Sequence, residues 1–300
     1  MNRRGFILAG CGTSLAALTV QPVVAANPLS TVARRLIDSN VSLFRWPLRR
    51  MPLDETPRLL STLRDHQVAE AWAGSFEGLL HKAQGSVNSR LTDECRRRGG
   101  GILRPVGSIN PRLPDWEYEL RRCALEHRMP GIRLHPNYHG YGLEDPAFER
   151  LLRVASDLGL WVQLALAMED ERMMHPLMRV LPVDPTPLST VLKVVPKCRL
   201  LLVNALRTLR AKPLLELLST GQVWVEISML EGIGGLGTLL SQVRNDRVLF
   251  GSHAPLFYFE SALLKLQESE LTQKQLDAIV SGNASSLVKT SPLKHRHGHQ

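Results

Sequence analysis

A histidine that could do acid–base chemistry, His253, directly follows a short apolar run, Val248 to Phe250, that stops at Gly251-Ser252. Such a run is typical of a buried strand in a parallel sheet, and the loop after the carboxyl end of such a strand carries chemistry. Imidazole titrates near neutral pH, so His253 could act as a general acid or base. Two acids follow another apolar run and could orient it. We therefore predict His253, Glu169 and Asp170 as the catalytic residues.

Polar and aromatic side chains also follow other apolar runs, and together they could line a ligand pocket. Arginine among them would suit an anionic group of a substrate. The predicted substrate-binding residues are Asn40, Arg45, Trp46, Trp72, His135, Tyr138, His139, Arg172, Asn204 and Glu231. The competing interpretations are structural: a solvated loop or an internal ion pair over residues 169–172, and hydrogen-bonded or packed side chains for His253 and His135.

These residues share one site only if the strands before them form one sheet. Eight apolar runs alternate with helical patterns, which favours a parallel sheet closed into an α/β barrel, a (β/α)8 TIM-type barrel with an extra C-terminal helix at Thr272 to Leu287. An open doubly wound sheet is the alternative, but no G-x-G-x-x-G follows a strand. The predicted strands are Leu36–Phe44, Val68–Ala73, Ile102–Ile109, Gly131–Leu134, Leu160–Leu166, Leu200–Val203, Val223–Ile227 and Val248–Phe250.

Three motifs carry a resemblance to a known family. They are Gly-Ile-Arg-Leu-His-Pro at 131–136, Phe-Gly-Ser-His-Ala-Pro at 250–255, and Gly-Asn-Ala at 282–284. Together they resemble the amidohydrolase-related group of the amidohydrolase superfamily, which contains metal-dependent hydrolases and decarboxylases. The resemblance covers most of residues 36–287 and implies a hydrolase acting on a small substrate. In that family the Leu-His-Pro motif packs the strand-four turn and binds no metal.

The same resemblance shows where this chain departs from the family. The family places His-x-His after strand one, where Asn40-Val41-Ser42 stands, and a histidine after strand six, where Asn204 stands. It places a further histidine after strand five, at Leu164–Leu166, and a metal-binding aspartate at the position of His253. Zinc needs three or four good donors. No metal ligand is therefore predicted, although the family's metals, zinc or manganese, remain the alternative.

Three hypotheses about function follow. The first is an enzyme with a remodelled, metal-free site that acts on a small acidic or amide substrate. The second is a catalytically inactive barrel that binds a small molecule or a protein partner. The third is a metal enzyme with relocated ligands drawn from His135, His139, His253 and Glu169, whose spacing matches no known cluster.

The N-terminus predicts export. Arg3-Arg4 precede an apolar segment, Ile7 to Val20, and the small residues Ala25-Ala26. This order is typical of a signal peptide, and the paired arginines resemble a twin-arginine signal. We therefore predict an export signal at 1–26, the twin-arginine machinery as a partner, and a periplasmic or extracellular location. The alternatives are a lipoprotein anchored at Cys11 and an uncleaved apolar helix.

Composition limits the remaining classes. The formal charge is +9, but aromatic residues do not interleave with the basic ones, so nucleic acid is not a predicted partner. Three cysteines remain after cleavage at Ala26, an odd number that excludes complete internal pairing. The predicted domains are the signal, one barrel at 27–290, and a disordered basic, histidine-containing tail at 291–300. A homo-oligomer is allowed by the sequence.

Overall fold

The computed structural model describes residues 35–289, so the predicted signal and the histidine-containing tail lie outside the described residues. Within that range all paired strands are parallel. The strands are β1 Leu36–Leu43, β2 Val68–Ser75, β3 Leu103–Pro105, β4 Gly107–Ser108, β5 Gly131–Leu134, β6 Trp161–Ala165, β7 Arg199–Val203, β8 Gln222–Glu226 and β9 Val248–Leu249.

The short strands β3 and β4 are the two parts of the third predicted strand. They flank Val106, whose N–H still donates to the carbonyl of Ala73 in β2. Strand pairing then runs β1-β2-β3 on one side of this interruption and β4-β5-β6-β7-β8-β9 on the other. The nine segments therefore make eight consecutive positions in one sheet.

The sheet closes between β1 and the segment that follows β9. The N–H of Ser39 donates to the carbonyl of Phe250, the N–H of His253 to that of Asn40, and the N–H of Ser42 to that of Ala254. An edge strand would leave these groups of β1 unpaired, whereas here they complete the ladder. The (β/α)8 prediction is confirmed.

Helices connect the strands on the outside of the barrel. Their bounds are α1 Thr56–Asp65, α2 Gln84–Arg98, α3 Trp116–Leu125, α4 Pro136–His139, α5 Pro146–Asp157, α6 Leu188–Val194, α7 Ala211–Thr220, α8 Gly235–Leu240, α9 Phe259–Gln267, α10 Gln273–Asp277 and α11 Asn283–Lys289. The extra C-terminal helix is interrupted by a π-helical turn at 278–282. The carbonyl of Ile279 in that turn accepts the N–H of Phe250, which ties the C-terminal helices to the end of β9.

The barrel interior is densely packed. All eight residues of β1 are buried, and so are all residues of β5, β6 and β7. Inside it the Trp72 and Trp161 rings pack with centroids 4.5 Å apart. Cys95, Cys123 and Cys198 are buried free thiols. Among residues 35–289 no helix has the length and apolar character needed to cross a membrane.

Candidate active site

A buried polar network joins the carboxyl ends of β1, β7 and β8. The Asn40 side-chain amide donates to Asn204 Oδ1 at 2.7 Å and to Glu226 Oε1 at 3.2 Å. Glu226 also accepts the Asn204 N–H at 2.6 Å and the Ser228 hydroxyl at 2.7 Å. All four residues are almost inaccessible to solvent. The predicted site residues Asn40 and Asn204 therefore meet, although 164 residues separate them.

His253 lies beside this network in a constrained turn. Its φ is +59°, in the left-handed region that non-glycine residues seldom occupy, and Asn204 has a φ of +56°. The turn is held from β1, because Asp38 accepts the Ser252 N–H at 3.0 Å and the Ser252 hydroxyl at 2.5 Å. Backbone conformations of this kind, held by surrounding hydrogen bonds, are typical of functional sites.

The hydrogen bonds of His253 define its tautomer. Nε2 lies 2.8 Å from the carbonyl oxygen of Met168, and because that oxygen only accepts, Nε2 carries the proton. Nδ1 is buried and has no hydrogen-bond partner. Burial lowers the pKa of His253 to about 4, so the ring is neutral at neutral pH and Nδ1 keeps its lone pair. This is the protonation state that a general base needs.

Other buried side-chain atoms of the predicted site residues also lack hydrogen-bond partners. They are His135 Nδ1, His139 Nδ1, Asn40 Oδ1 and the indole Nε1 of Trp46. The two histidine rings lie 5.9 Å apart, and burial lowers the pKa of both. Buried polar groups in folded proteins are almost always paired with protein, water or ligand. These atoms therefore provide hydrogen-bonding capacity for a small polar molecule.

Aromatic and thioether side chains pack around several of the predicted site residues. Trp46 packs edge-on against Phe76 at 5.1 Å and Tyr138 at 6.5 Å between ring centroids, and Trp46 and Met168 are both buried. The cavity that His135, Tyr138 and Met168 border has a volume of about 10 Å³. That space suits about one water molecule. His253 itself is fully buried, so a substrate reaches it only if neighbouring side chains move.

Glu169 and Asp170 border a second cavity. They line a cavity of about 360 Å³ together with Arg49 and Phe257, and the Phe257 ring packs against His253 with centroids 5.3 Å apart. Glu169 forms a short ion pair with Arg49, yet burial raises its pKa. Ion pairs with Arg172 and Arg207 hold the pKa of Asp170 below its usual range. Neither carboxylate forms a hydrogen bond with His253 among the described residues.

The structure distributes the remaining predicted residues over other surroundings. Arg45 is exposed and lines a separate cavity of about 620 Å³ beside α1. The side chain of Arg172 is 80% exposed, and Glu231 pairs with Arg207 and Arg210 on an outer surface. Trp72 is buried, and its indole N–H donates to Glu70 at 2.9 Å. None of these four adds a free polar group to the centre around His253.

Charged residues within the strands, which were not among the predicted site residues, form hydrogen bonds that organise the centre. Arg133 of β5 is fully buried, and it donates to Gln163 Oε1 at 2.5 Å, to Ser42 Oγ at 3.0 Å and to the carbonyl of Val41 at 3.1 Å. Burial lowers the pKa of Arg133 to about 10. Asp38 and Glu226 were missed in the same way. A charged residue inside an otherwise apolar run was the available signal.

The donor atoms at the strand ends do not fit a divalent metal. Asn40 turns its amide N–H₂ toward Asn204 and Glu226, and Glu226 accepts hydrogen bonds at both carboxylate oxygens. The part of the chain from 35 to 289 contains no group of three or more His, Cys, Asp or Glu that could hold a metal ion. The unpartnered imidazole nitrogens of His135, His139 and His253 therefore do not come together, within residues 35–289, as the three- or four-donor set that zinc or manganese needs.

The sequence matches the model of a known protein family, which identifies the class of protein. The model described as amidohydrolase matches residues 46–289, and the chain therefore belongs to the amidohydrolase family. No curated protein matches the chain in sequence.

Solved structures agree in fold. The 5-carboxyvanillate decarboxylase of Novosphingobium aromaticivorans, solved with bound manganese, superposes with a TM-score of 0.67 at 13% identity, over 85% of this chain and 97% of that one. The 2,6-dihydroxybenzoate decarboxylase of Rhizobium gives 0.62 at 13% identity, over 84% and 99%. The 5-carboxyvanillate decarboxylase of Sphingomonas paucimobilis gives 0.64 at 12% identity, over 86% and 99%. At these identities the likeness shows the fold.

Proposed function

We propose that this chain is an exported, metal-independent hydrolase of the amidohydrolase family that acts on a small acidic or amide substrate. The observation that carries the proposal is the buried, unpaired Nδ1 of His253, in a ring kept neutral by burial. A neutral imidazole with a free lone pair is the form of histidine that accepts a proton in general-base catalysis.

The proposed chemistry uses protein groups of this centre, one water molecule and the substrate. His253 Nδ1 removes a proton from a water molecule, the hydroxide oxygen bonds to the substrate carbonyl carbon, and the same proton passes to the leaving nitrogen or oxygen as its bond to carbon breaks. The unpaired indole N–H of Trp46 and lone pair of Asn40 Oδ1 orient the substrate. Met168 fixes the ring of His253 through its carbonyl.

The structural neighbours extend the substrate classes worth testing. All three neighbours described above are named as decarboxylases of aromatic carboxylates, and one was solved with manganese. Aromatic acids therefore join amides and esters in the proposed panel. The side chains of Asn40, Glu226 and the nearby histidines do not fit a divalent metal site, which supports turnover without an added metal ion.

The decisive experiment combines metal analysis with turnover. The protein, purified without a tag and treated with a mild chelator, is assayed on chromogenic amides, esters and aromatic carboxylates. We expect no stoichiometric zinc or manganese and turnover that chelation leaves unchanged. His253→Ala should abolish turnover, while His175→Ala, at an exposed histidine, serves as the matched control. Stoichiometric metal, or full activity of His253→Ala, would overturn the proposal.

One observation favours a second candidate, a barrel that binds a small molecule without turnover. His253 is fully buried, and the cavity beside His135 has a volume of only about 10 Å³. In that case ligands from the same panel raise the melting temperature, but no product forms with either the wild type or His253→Ala.

Export is proposed from the sequence of residues 1–26. Substituting Arg3 and Arg4 by lysine should retain the protein inside the cell if the twin-arginine machinery carries it. Cys11→Ser separates the lipoprotein alternative, because loss of membrane attachment in that variant would show lipidation. Unchanged export of the double lysine variant would contradict a twin-arginine route.

A further inference from the structure

The cavity of about 620 Å³ beside α1 is not lined by His253 or by the polar network around it. It is bordered by the loop that follows β1, the first turn of α1, the segment after β2 and the helix α2. Cavities of this volume hold small molecules in many proteins. Its apolar walls are formed by Phe44, Pro47, Pro57, Phe76 and Leu80. An apolar part of a ligand would pack against these walls.

The carboxylates that line this cavity already have partners. Each of them pairs with an arginine: Asp54 with Arg50, Glu55 with Arg50 and Arg58, Glu77 with Arg90, and Glu94 with Arg98. The Asp54 carboxylate accepts hydrogen bonds from Arg50 at 2.5 and 3.2 Å, and the Glu77 carboxylate accepts from Arg90 at 2.7 and 3.0 Å. Because these acids are paired within the chain, they do not favour a cationic ligand.

Arg45 is the arginine of this cavity that has no such partner. Its side chain is exposed and forms no hydrogen bond or ion pair with residues 35–289. The charge of Arg45 lies close to the start of α1, because a hydrogen bond from Arg50 lowers the pKa of Asp54 and the charge of Arg45 adds to this effect. A guanidinium without a carboxylate partner can bind an anionic group of a ligand.

The start of α1 adds further donors without partners. Thr56 is 6% exposed and lines the cavity, yet its hydroxyl forms no hydrogen bond among the described residues. The Thr56 N–H has no partner in that range either, and Glu55 at the N-cap forms no side-chain capping bond. Buried hydroxyls are almost always hydrogen-bonded, and a helix N-terminus favours negative charge. These groups therefore favour a ligand that accepts hydrogen bonds.

We propose that this cavity binds a small carboxylate with an apolar body, whose carboxylate group lies between Arg45 and the first turn of α1. Arg45 supplies one unpaired positive charge, which a carboxylate matches and a phosphate monoester exceeds. The hydroxyl and N–H of Thr56 donate to the carboxylate oxygens, and the apolar walls cover the rest of the ligand. The site is separate from the centre around His253 and does not depend on the function proposed for it.

The test is calorimetric titration of the full chain with hexanoate, and hexanamide is the uncharged probe of nearly the same shape. We expect saturable binding of hexanoate near neutral pH, and binding of hexanamide that is weaker by about tenfold or more. Arg45→Gln should weaken hexanoate binding by about tenfold or more. Arg112→Gln is the matched control, because Arg112 is an exposed arginine that pairs with Asp145 outside the cavity. It should bind hexanoate like the wild type.

Two further variants exclude misfolding and binding at the centre around His253. Thr56→Val replaces an unpartnered hydroxyl by a methyl group, so it should unfold like the wild type yet bind hexanoate several-fold more weakly. His253→Ala should bind hexanoate like the wild type. The proposal would be overturned by a wild type that does not bind at about 10 mM hexanoate, by equal binding of hexanamide, or by binding that Arg45→Gln leaves intact. Binding that His253→Ala abolishes would also overturn it, because the ligand would then lie in the other site.

Discussion

The carboxylate of Asp38 accepts both the backbone N–H and the hydroxyl of Ser252, at 3.0 and 2.5 Å, across 214 residues of sequence. This pair joins the first strand to the turn that carries His253. The Ser252 hydroxyl also accepts the Ala254 N–H at 3.0 Å, so the turn is held on both sides of the histidine. Barrel closure and the geometry of the proposed base therefore share one carboxyl group.

The first prediction concerns Asp38 and pH. Burial raises its pKa from 3.8 to about 7, so the folded state holds this proton more tightly than the unfolded state. The protonated Asp38 carboxyl contributes its full stability below pH 3.8, and this contribution is lost as pH rises to about 7. This difference in pKa between the unfolded and folded states corresponds to about 4 kcal/mol in the free energy of unfolding. Asp38→Asn should resemble the protonated acid, and urea titrations should show its advantage over the wild type growing across that window.

Asp157→Asn provides the control for this comparison, because Asp157 is exposed at the end of α5. Its free energy of unfolding should follow the wild type at every pH. A constant difference between Asp38→Asn and the wild type from pH 4 to 8 would contradict the prediction.

The second prediction concerns His253 itself. Burial lowers its pKa from 6.5 to about 4, so its contribution to stability is present above pH 6.5 and is lost as pH falls toward 4. Imidazole resonances in nitrogen-15 NMR should show a neutral ring protonated at Nε2 down to about pH 5. Assignment comes from the missing signals of His253→Gln. A titration midpoint at pH 6 or above would refute the effect of burial argued here, and a neutral ring protonated at Nδ1 would refute the tautomer.

A third prediction concerns Arg133. Arg133→Met leaves Gln163, Ser42 and the Val41 carbonyl without their buried donor, and we expect a loss of about 3–5 kcal/mol in the free energy of unfolding. Arg244→Met is the matched change at the surface, where the arginine side chain is 77% exposed and pairs with Asp246. It should cost about 0–1 kcal/mol. Equal losses in urea denaturation would show that the buried network is not special.

The fourth prediction uses two glycines. A Cβ at Gly131 of β5 would lie 2.3 Å from the ring of Trp161, so Gly131→Ala must displace a buried tryptophan. We expect Gly131→Ala to lower the free energy of unfolding by about 1–3 kcal/mol. A Cβ at Gly237 of α8 meets nothing within 4 Å, and Gly237→Ala should stabilise the protein by about 0.5–1 kcal/mol. Thermal unfolding of both variants checks the sign; a tolerated Gly131→Ala would be the contrary result.

Sequence patterns predicted the strands well because both faces of most strands are buried. Each predicted strand overlaps an observed one, and Gly131–Leu134 was predicted with its observed bounds. The break in the third strand comes directly after Pro105, which has no N–H to donate.

The site was harder to predict than the fold. Strand order alone places Asn40, Asn204 and His253 at one end of the barrel. It does not show which side chains point away from the barrel axis. Arg172 and Glu231 were therefore predicted to share a site with residues that they do not contact. The role of Asp38, Arg133 and Glu226 depends on partners up to 214 residues away, and only the folded chain brings those together.

The bond between the Ser39 hydroxyl and the carbonyl of Phe250 spans 211 residues. During synthesis β1 therefore emerges long before the segment that covers its outer edge. For that interval the nascent chain carries an unsatisfied strand that other chains can pair with. Assembly of this barrel is thus a late event, and ribosomal pausing or truncation upstream of residue 250 should favour aggregation over productive folding.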